Sequence, residues 1–498
     1  MRRDVVAPLA IAAIVLVSRL PFVTHTLWAW DSVLYANALE QGFHVDFGLG
    51  EQRPQPPGYL LYIATAAALR QITHDSNAAL VLVSVIASAA GAAAVYRLAR
   101  RFTSPGAAGL VAAGYAFNPL IWTYAEIAYP YALLGLLAVV LATAFWDARA
   151  GRRRTHVVLA SFAFGLLTGY RQDLALLLGA LWLWVLWPTS ARTRISATVA
   201  ALAGALLWFV PTAMLSGGLD QYLFAIQQQS RSVESAYSIG AQGPAAFSYN
   251  LRFTLYSLAW GLLGFGVVLV GLIAGPLVHV IGGRASRAPM PLSERRNELG
   301  FFAAWLVPGL AFYVAVHIGE WGYVLSVLPA LYVLIAALLD DLVLSHLRGI
   351  ARRAWPYVGT AVVAAGAALF LFAPTRFSAD ALARRDREAQ VRVRYLQDHF
   401  PKERTIVLAR EDFLFVRYYL PGYRAWLYDP DPYASPRMRR RAMRATAIVI
   451  FTEGLHPRQD LDVRYVEAAA GVEIAYVPIE PGAVVEFSGE RFMVRDPD

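Results

Sequence analysis

The chain contains no cysteine and few charged residues. Its 498 residues include no Cys, and only 16% are Asp, Glu, Lys or Arg. The absence of cysteine excludes disulfide bonds, thiolate zinc sites, iron–sulfur clusters and cysteine nucleophiles. Soluble domains have about 25% charged residues. The shortage of charge, together with 57% hydrophobic residues and a mean hydropathy of +0.46, therefore indicates a polytopic membrane protein.

Lysine and the common nucleotide motifs are also scarce. Of the 44 basic residues, 43 are Arg and only Lys402 is Lys, so the net charge of +9 reflects arginine. The sequence has no P-loop, no G-x-G-x-x-G motif after a strand and no H-E-x-x-H motif. The missing nucleotide motifs fit a lipid-linked donor better than a nucleotide sugar, and because the arginine bias is attributed to genome base composition, the net charge predicts no nucleic-acid partner.

Long apolar segments recur along the first three quarters of the chain. A bilayer core about 30 Å thick needs roughly 20 mostly apolar helical residues. We predict about eleven transmembrane helices, near residues 5–23, 78–96, 105–123, 129–146, 156–170, 174–188, 196–214, 253–279, 299–316, 323–340 and 355–373.

The apolar segment from Gly58 to Gln71 decides the predicted orientation. Its 14 residues would rise only about 21 Å as a helix, which is short for a span. If it lies in the interface, 18 arginines of the connecting loops share one side, against five on the other. The positive-inside rule then predicts a multi-pass cell-membrane protein with a cytoplasmic N-terminus.

Two domains follow from this topology. Residues 1–374 form a transmembrane domain whose long first outer loop, 24–77, carries interfacial helices. Residues 375–498 have no long apolar run and are predicted to form a small extracytoplasmic α/β domain. The pattern predicts a helix over 378–400 and strands over 405–409, 447–451, 472–477 and 483–487.

Carboxylates gather on the predicted outer face. Acidic residues near the ends of membrane helices cost little, so their location alone does not indicate a site. Several of these lie at the outer ends of different helices and could line one cavity. The ten are Asp31, Glu40, Asp46, Glu51, Asp75, Glu126, Asp173, Asp220, Glu234 and Glu320.

The first outer loop resembles that of the GT-C membrane glycosyltransferases, in particular the protein O-mannosyltransferases and the lipid A aminoarabinose transferases. The resemblance covers residues 1 to about 340 loosely. It rests on the order of five segments: Trp30 to Leu39, Pro56 to Tyr62, Tyr96 to Phe102, Leu167 to Arg171, and Tyr323 to Ala330.

This resemblance implies a GT-C-like fold and transfer of a sugar from a polyprenyl-phosphate carrier to an acceptor hydroxyl on the outer face. The acceptor would be a glycan, a lipid or a protein, and the sugar a hexose or a pentose. It gives three groups of site residues, which are catalytic Asp31 and Glu126; donor phosphate-binding Arg171, His317 and Tyr323; and substrate-binding Tyr35, Tyr59, Asp173, Glu320 and Trp321.

Two of these positions depart from the family pattern. Many relatives have an acidic pair where this chain has Asp31 and Ser32, so a second carboxylate, if needed, would come from Asp46, Glu51 or Glu126. Arg171 stands where the family usually has lysine. Each also has a simpler explanation: Asp31 would cap a helix beginning at Ser32, and Arg171 would reach the interface beside Asp173.

Alternatives remain at the level of function as well. A transporter or flippase of lipid-linked saccharides would share the hydropathy, although the chain shows no internal repeat of the kind transporters have. A membrane-anchored receptor or assembly factor is a third possibility. The sequence identifies no particular cofactor. A divalent metal held by Asp31, Glu126 and His317 would be chemically acceptable, but no spacing supports it.

Overall fold

The computed structural model describes residues 2–48, 53–151, 153–268, 296–340, 349–428, 441–452, 455, 462–480, 483–488 and 491–495. The chain divides into two compact units. Unit 1 comprises Met1–Val23 and Ala38–Leu382, and unit 2 comprises Thr24–Asn37 and Ala383–Asp498. Glu51 and the end of the predicted span 253–279 lie outside the described residues.

Unit 1 is built from helices. They are α1 (Arg2–Arg19), the end of α2 (Trp30–Gln41), α3 (Leu60–Thr73), α4 (Ser76–Ala99), α5 (Pro105–Ala116), α6 (Pro119–Ala125), α7 (Tyr131–Gly151), α8 (Arg154–Leu167), α9 (Leu174–Leu186), α10 (Ala191–Leu215), α11 (Leu219–Tyr237), α12 (Ile239–Leu262), α13 (Arg296–Ala315), α14 (Leu328–Leu339) and α15 (Gly349–Phe372).

Within the described residues, α4, α7, α10 and α13 are long and apolar enough to cross a membrane. Further apolar helices of 10–17 residues accompany them, among them α3, α8, α9 and α14. The predicted helical architecture with several apolar helices is therefore confirmed, and the number of about eleven spans stays a prediction. At 14 residues, α3 has the length that the predicted interfacial segment requires.

Two predicted spans are wrong as single helices because proline interrupts them. The span predicted over 105–123 divides into α5 and α6 at Asn118 and Pro119. The Asn118 side chain accepts the amide of Leu120 at 2.9 Å and so starts a new helix. Because proline has no amide hydrogen to donate to the preceding turn, α5 does not continue through Pro119. Likewise, the span predicted over 323–340 divides into a 3-10 turn, Trp321–Ser326, and α14, with Pro329 in its first turn.

Glycine allows α8 and α10 to pack at close range. A Cβ atom at Gly165 would overlap the backbone carbonyl of Ala201, and one at Gly204 would overlap the carbonyl of Phe162. Small residues at such crossings let two backbones approach in a membrane, where packing replaces the hydrophobic driving force. This crossing fixes the C-terminal end of α8, from which the candidate site begins.

Unit 2 is an α/β arrangement. Its elements are α16 (Ala379–His399), β1 (Thr405–Ala409), α17 (Phe413–Tyr419), β2 (Arg424–Leu427), β3 (Arg441–Arg444), β4 (Ala447–Ile450), β5 (Arg464–Glu467), β6 (Glu473–Pro478), β7 (Val484–Ser488) and β8 (Arg491–Arg495). One sheet has the order β2-β1-β4-β6-β5, with β1 parallel to β2 and β4 and the remaining pairs antiparallel. The other sheet is antiparallel, β3-β7-β8.

The two strands of unit 2 that are buried along their whole length, β1 and β4, are among those that the sequence predicts. Ile406 and Leu408 of β1, Ile448 of β4 and Val477 of β6 form one core with Val485 of β7. The helix and four strands predicted here are found within two residues of their expected bounds. Four more strands (β2, β3, β5 and β8) and α17 were not predicted. The exposed pattern of β5 illustrates why, because it has no buried face to create a hydrophobic signal.

A buried carboxylate ties the segment Thr24–Asn37 into unit 2. Asp386 of α16 is 8% exposed. Its Oδ1 accepts hydrogen bonds from the amide of Thr26 at 2.7 Å and from Oγ1 of the same residue at 2.6 Å, and the amide of His25 donates to it at 3.1 Å. Next along the chain, the Tyr419 hydroxyl accepts the amide of Leu27 at 2.9 Å. This segment leads directly into α2.

Replacing Asp386 with Ala should therefore loosen the segment that precedes α2. Hydrogen bonds to a charged group contribute about 1.5–3 kcal/mol each, so amide hydrogen exchange at His25 and Thr26 should accelerate about tenfold or more. Hydrogen-exchange mass spectrometry of the full-length protein would measure it. Asp398→Ala, on the exposed face of α16, is the control; equal protection in the two variants would contradict the anchoring role.

Candidate functional site

A buried arginine lies between α8 and α9. Arg171 is 3% exposed. Its Nη2 lies 2.7 Å from Oδ2 of Asp173, and its Nε donates to Oδ1 of the same carboxylate at 3.2 Å. Within the described part of the chain, no hydrogen bond involves Nη1. The guanidinium is thus held along one edge and presents another edge for a further acceptor.

Tyrosine rings surround this guanidinium. Its Cζ lies 4.7 Å from the ring centre of Tyr131, 5.4 Å from that of Tyr323 and 5.7 Å from that of Tyr59. Cations are attracted to aromatic faces within about 6 Å. We call Arg171, Asp173, Tyr59, Tyr131 and Tyr323 the Arg171 cluster. Its members come from four separate stretches of sequence.

Hydrogen bonds at the end of α8 set the position of Arg171. The indole Nε1 of Trp208 donates to the carbonyl of Gly165 at 3.0 Å, and Thr168 Oγ1 donates to the same carbonyl at 2.6 Å. A side chain at Gly169 would overlap the Trp208 ring. The backbone therefore leaves α8 along one path, which leads to Arg171.

Strained backbone brings Tyr59 to the cluster. Gly58 has φ +116° and Tyr59 has φ +51°. The left-handed region is uncommon for a residue with a side chain and is often found at functional sites. The amide of Leu61, at the start of α3, donates to the carbonyl of Gly169 at 3.1 Å. That bond joins α3 to the segment that carries Arg171.

The 3-10 turn Trp321–Ser326 supplies Tyr323. Tyr313 Oη donates to the carbonyl of Tyr323 at 2.8 Å, and Trp305 Nε1 donates to the carbonyl of Ser326 at 3.0 Å. A Cβ atom at Gly322 would overlap the ring of Tyr131. Buried aromatic side chains thus hold this turn against Tyr131.

Two other predicted residues, Glu320 and His317, lie next to the cluster, and a third, Trp321, does not. Glu320 accepts a hydrogen bond from the Tyr124 hydroxyl at 2.9 Å, and the Tyr124 ring lies 5.3 Å from that of Tyr131. His317 packs on Tyr323, with ring centres 5.7 Å apart. Trp321 faces elsewhere, 4.7 Å from the ring of Phe253.

Glu126 lies in a different environment. Its carboxylate and the Arg19 guanidinium are both 0% exposed, with 3.8 Å between Oε1 and Nε. Arg19 also stacks over Trp122 at 4.4 Å and donates to the carbonyl of Ala116. A buried charge requires such a partner. Sequence analysis did not identify Arg19, although an arginine at the end of an apolar helix was the available signal.

Asp31 and Tyr35 belong to unit 2. The structure begins α2 at Trp30, so Asp31 lies in the first helical turn and is not the N-cap of a helix beginning at Ser32. A carboxylate there is favoured by the helix dipole. Asp31 is half-buried, and Tyr35 is buried. Trp30 stacks on Phe413 of α17, with ring centres 6.4 Å apart.

The described residues contain no group of three His, Cys, Asp or Glu side chains that could hold a metal ion. Glu126 is paired with Arg19, and His317 lies between the rings of Tyr237 and Tyr323. A divalent metal at Asp31, Glu126 and His317 stays a prediction from the sequence.

Comparisons with known proteins agree with the expected class. The family model for dolichyl-phosphate-mannose-protein mannosyltransferases matches residues 54–215. No curated protein matches the sequence. The fold is that of the GT-C glycosyltransferase superfamily, to which the matched family and the similar structures belong. The resemblance found in the sequence is thereby confirmed.

Three solved structures illustrate the likeness. ArnT from Cupriavidus metallidurans in the apo state has a TM-score of 0.58 at 13% identity, and ArnT bound to undecaprenyl phosphate has 0.55 at 14%. Each comparison covers 95% of this chain and 97% of ArnT. The arabinofuranosyltransferase AftD from Mycobacteria has a TM-score of 0.51 at 14% identity, covering 97% of this chain and 40% of AftD. At these identities the likeness concerns the fold.

His317 provides a pH-dependent prediction. It follows α13 outside the spanning helices, and burial lowers its pKa to about 4. Between that value and the usual 6.5, the unfolded chain binds more protons than the folded chain, so stability should fall as pH falls through this interval. His317→Gln should lose less thermal stability from pH 6.5 to 4.5 than the unchanged protein. His156→Gln, at an exposed position, should lose as much as the unchanged protein; identical losses in all three would contradict the prediction.

Proposed function

We propose that this protein is a glycosyltransferase that moves a sugar from a polyprenyl-phosphate carrier to an acceptor hydroxyl on the outer face of the cell membrane. The observation that carries the proposal is the buried Arg171 guanidinium, whose Nη1 edge has no acceptor among the described residues. The fold supports it, since ArnT with this fold has been crystallised with undecaprenyl phosphate.

Arg171 suits a departing phosphate. As the bond between the sugar and the carrier breaks, negative charge grows on the phosphate oxygens. A guanidinium forms short, charge-assisted hydrogen bonds to phosphate. Because Arg171 is already oriented by Asp173 and three aromatic rings, little reorganisation is needed when the charge develops. His317 would serve as a neutral hydrogen-bonding group beside Tyr323, since its pKa lies far below neutral pH.

Asp31 is proposed as the base. The acceptor hydroxyl gives its proton to the Asp31 carboxylate while its oxygen attacks the anomeric carbon from the side opposite to the phosphate. The carbon–oxygen bond to the carrier breaks, and the electron pair leaves with the polyprenyl phosphate. This single displacement inverts the anomeric configuration and requires only one carboxylate as general base.

The remaining residues would contact substrate. Tyr59 and Asp173 lie beside the Arg171 guanidinium, which is proposed to bind the phosphate. Glu320 accepts a hydrogen bond from the Tyr124 hydroxyl. Tyr35 and Trp321 are proposed sugar contacts. Glu126 is left out of the chemistry, because its fully buried carboxylate balances Arg19.

The phosphate role of Arg171 is tested by carrier binding alone. Arg171→Ala should weaken binding of undecaprenyl phosphate about tenfold or more, the equivalent of one charge-assisted hydrogen bond. Native mass spectrometry of the purified protein would measure it. Arg171→Lys should keep the charge and lose part of the affinity. Arg252→Ala, at an exposed position of α12, should bind normally. Unchanged affinity in folded Arg171→Ala would refute the role.

The base is tested in cells that lack this protein. Mass spectrometry of surface glycans should reveal a missing sugar, and the original gene should restore it. Asp31→Asn should fail to restore the sugar while still binding undecaprenyl phosphate, because the substitution removes only the proton acceptor. Asp220→Asn, at an exposed position of α11, is the matched control. Full restoration of the sugar by Asp31→Asn would contradict the assignment of Asp31 as the base.

A further inference from the structure

A polar pocket lies at the opposite ends of the helices that carry the Arg171 cluster. It has a volume of about 580 Å³. Its lining residues come from the C-terminal ends of α7 and α9, from the N-terminal ends of α8 and α10, and from Asn297 of α13. The Arg171 cluster adjoins the other ends of α7, α8 and α9. The 21 residues of α7 span about 31 Å, so the pocket belongs to the other membrane interface.

The described lining of this pocket is basic. It includes Arg149 and Arg154 and no Asp or Glu. Arg149 stacks over the Trp184 ring at 3.9 Å and donates to Asn297 Oδ1 at 3.3 Å. Arg154 donates to a serine hydroxyl at 2.6 Å and makes no ion pair within the described residues. The charge of the pocket therefore favours an anion.

The neighbouring carboxylate does not neutralise it. Asp147 precedes the pocket residues on α7, but Arg101 binds it in a two-point contact, with nitrogen–oxygen distances of 2.6 and 2.5 Å. Bidentate pairing of this kind engages both carboxylate oxygens. Asp147 is thus committed to a different arginine.

Helix geometry adds to the positive potential. Arg154 and Val157, in the first turn of α8, line the pocket. The N-cap position of this helix is Arg153, whose side chain has no hydrogen-bond acceptor. The positive end of the α8 dipole therefore lies at the pocket without a side-chain cap. Two arginines, a helix end and an amide group thus converge on one cavity.

The surroundings indicate a lipid. Trp187, at the end of α9, is 82% exposed, as expected of an aromatic residue at headgroup depth. Leu183 of α9 and Ile195 of α10 are exposed apolar side chains on the neighbouring helices. A ligand in the pocket would therefore have apolar surface beside it for acyl chains. The loops on this side carry the arginine excess that predicts the cytoplasmic face.

We propose that this pocket binds the phosphate headgroup of an anionic phospholipid from the cytoplasmic leaflet. The phosphate lies between Arg149 and Arg154 at the start of α8, and the acyl chains follow the exposed apolar side chains of α9 and α10. The proposal is independent of the proposed sugar transfer, because it uses none of the residues assigned to that chemistry.

The test uses the full-length protein purified in detergent. Phosphatidylglycerol, phosphatidylcholine and inorganic phosphate are titrated separately while the thermal unfolding midpoint is followed. Phosphatidylglycerol should raise the midpoint, and Arg154→Ala should require about tenfold more of it, since one charge-assisted contact is lost. Asn297→Asp, which adds a carboxylate beside Arg149 with little change of shape, should weaken the response in the same direction.

Arg194→Ala is the matched control, because Arg194 lies in the first turn of α10, is exposed, and donates to the carbonyl of Trp187 at 2.9 Å outside the pocket lining. It should respond as the unchanged protein does. The proposal is overturned if phosphatidylcholine acts equally well, or if Arg154→Ala and Asn297→Asp both respond normally. A full response to inorganic phosphate alone would overturn the lipid assignment in favour of a soluble phosphate ligand.

Discussion

The buried charge of Arg171 is the constraint that organises the candidate site. A guanidinium at 3% exposure is tolerable only with a partner, and Asp173 meets it along one edge. The aromatic faces of Tyr59, Tyr131 and Tyr323 then complete its surroundings. Each ring arrives from a different element, so the α8–α10 crossing, the strained start of α3 and the 3-10 turn must all be in place. The site therefore depends on tertiary packing that no single helix provides.

The two proposed anion-binding sites lie at opposite ends of the same helices. Arg171 follows the C-terminal end of α8, and Arg154 lies at the beginning of that helix. One guanidinium is buried and held by a carboxylate, which suits a charge that develops during reaction. The other is exposed and makes no ion pair within the described residues, which suits a resident phosphate. Burial and pairing, rather than residue type, distinguish the two proposed roles.

Sequence alone could locate the apolar helices and the buried strands, since both depend on local periodicity. It could also point to Arg171 and Asp173, because charges at helix ends in a membrane are conspicuous. It could not find Asp386, whose function depends on backbone amides 360 residues away. Nor could it pair Glu126 with Arg19, since the two lie at the ends of different helices. Pro119 is visible in the sequence. The hydropathy average over residues 105–123 stays high across this proline, so α5 and α6 are predicted as one helix.

The arginine at position 171 is coupled to the carboxylate two residues later. Lysine, which is usual here in the family that the sequence resembles, offers one compact ammonium group. If that ammonium group were bonded to Asp173, it would have no donors held in a fixed direction towards a phosphate. The planar guanidinium of Arg171 gives Nε and Nη2 to the carboxylate and keeps Nη1 directed elsewhere. In the proposed role, the carboxylate would improve phosphate binding by fixing the direction of the donor, although it reduces the net charge. The exchange of lysine for arginine is therefore not conservative, because only arginine can satisfy both partners at once.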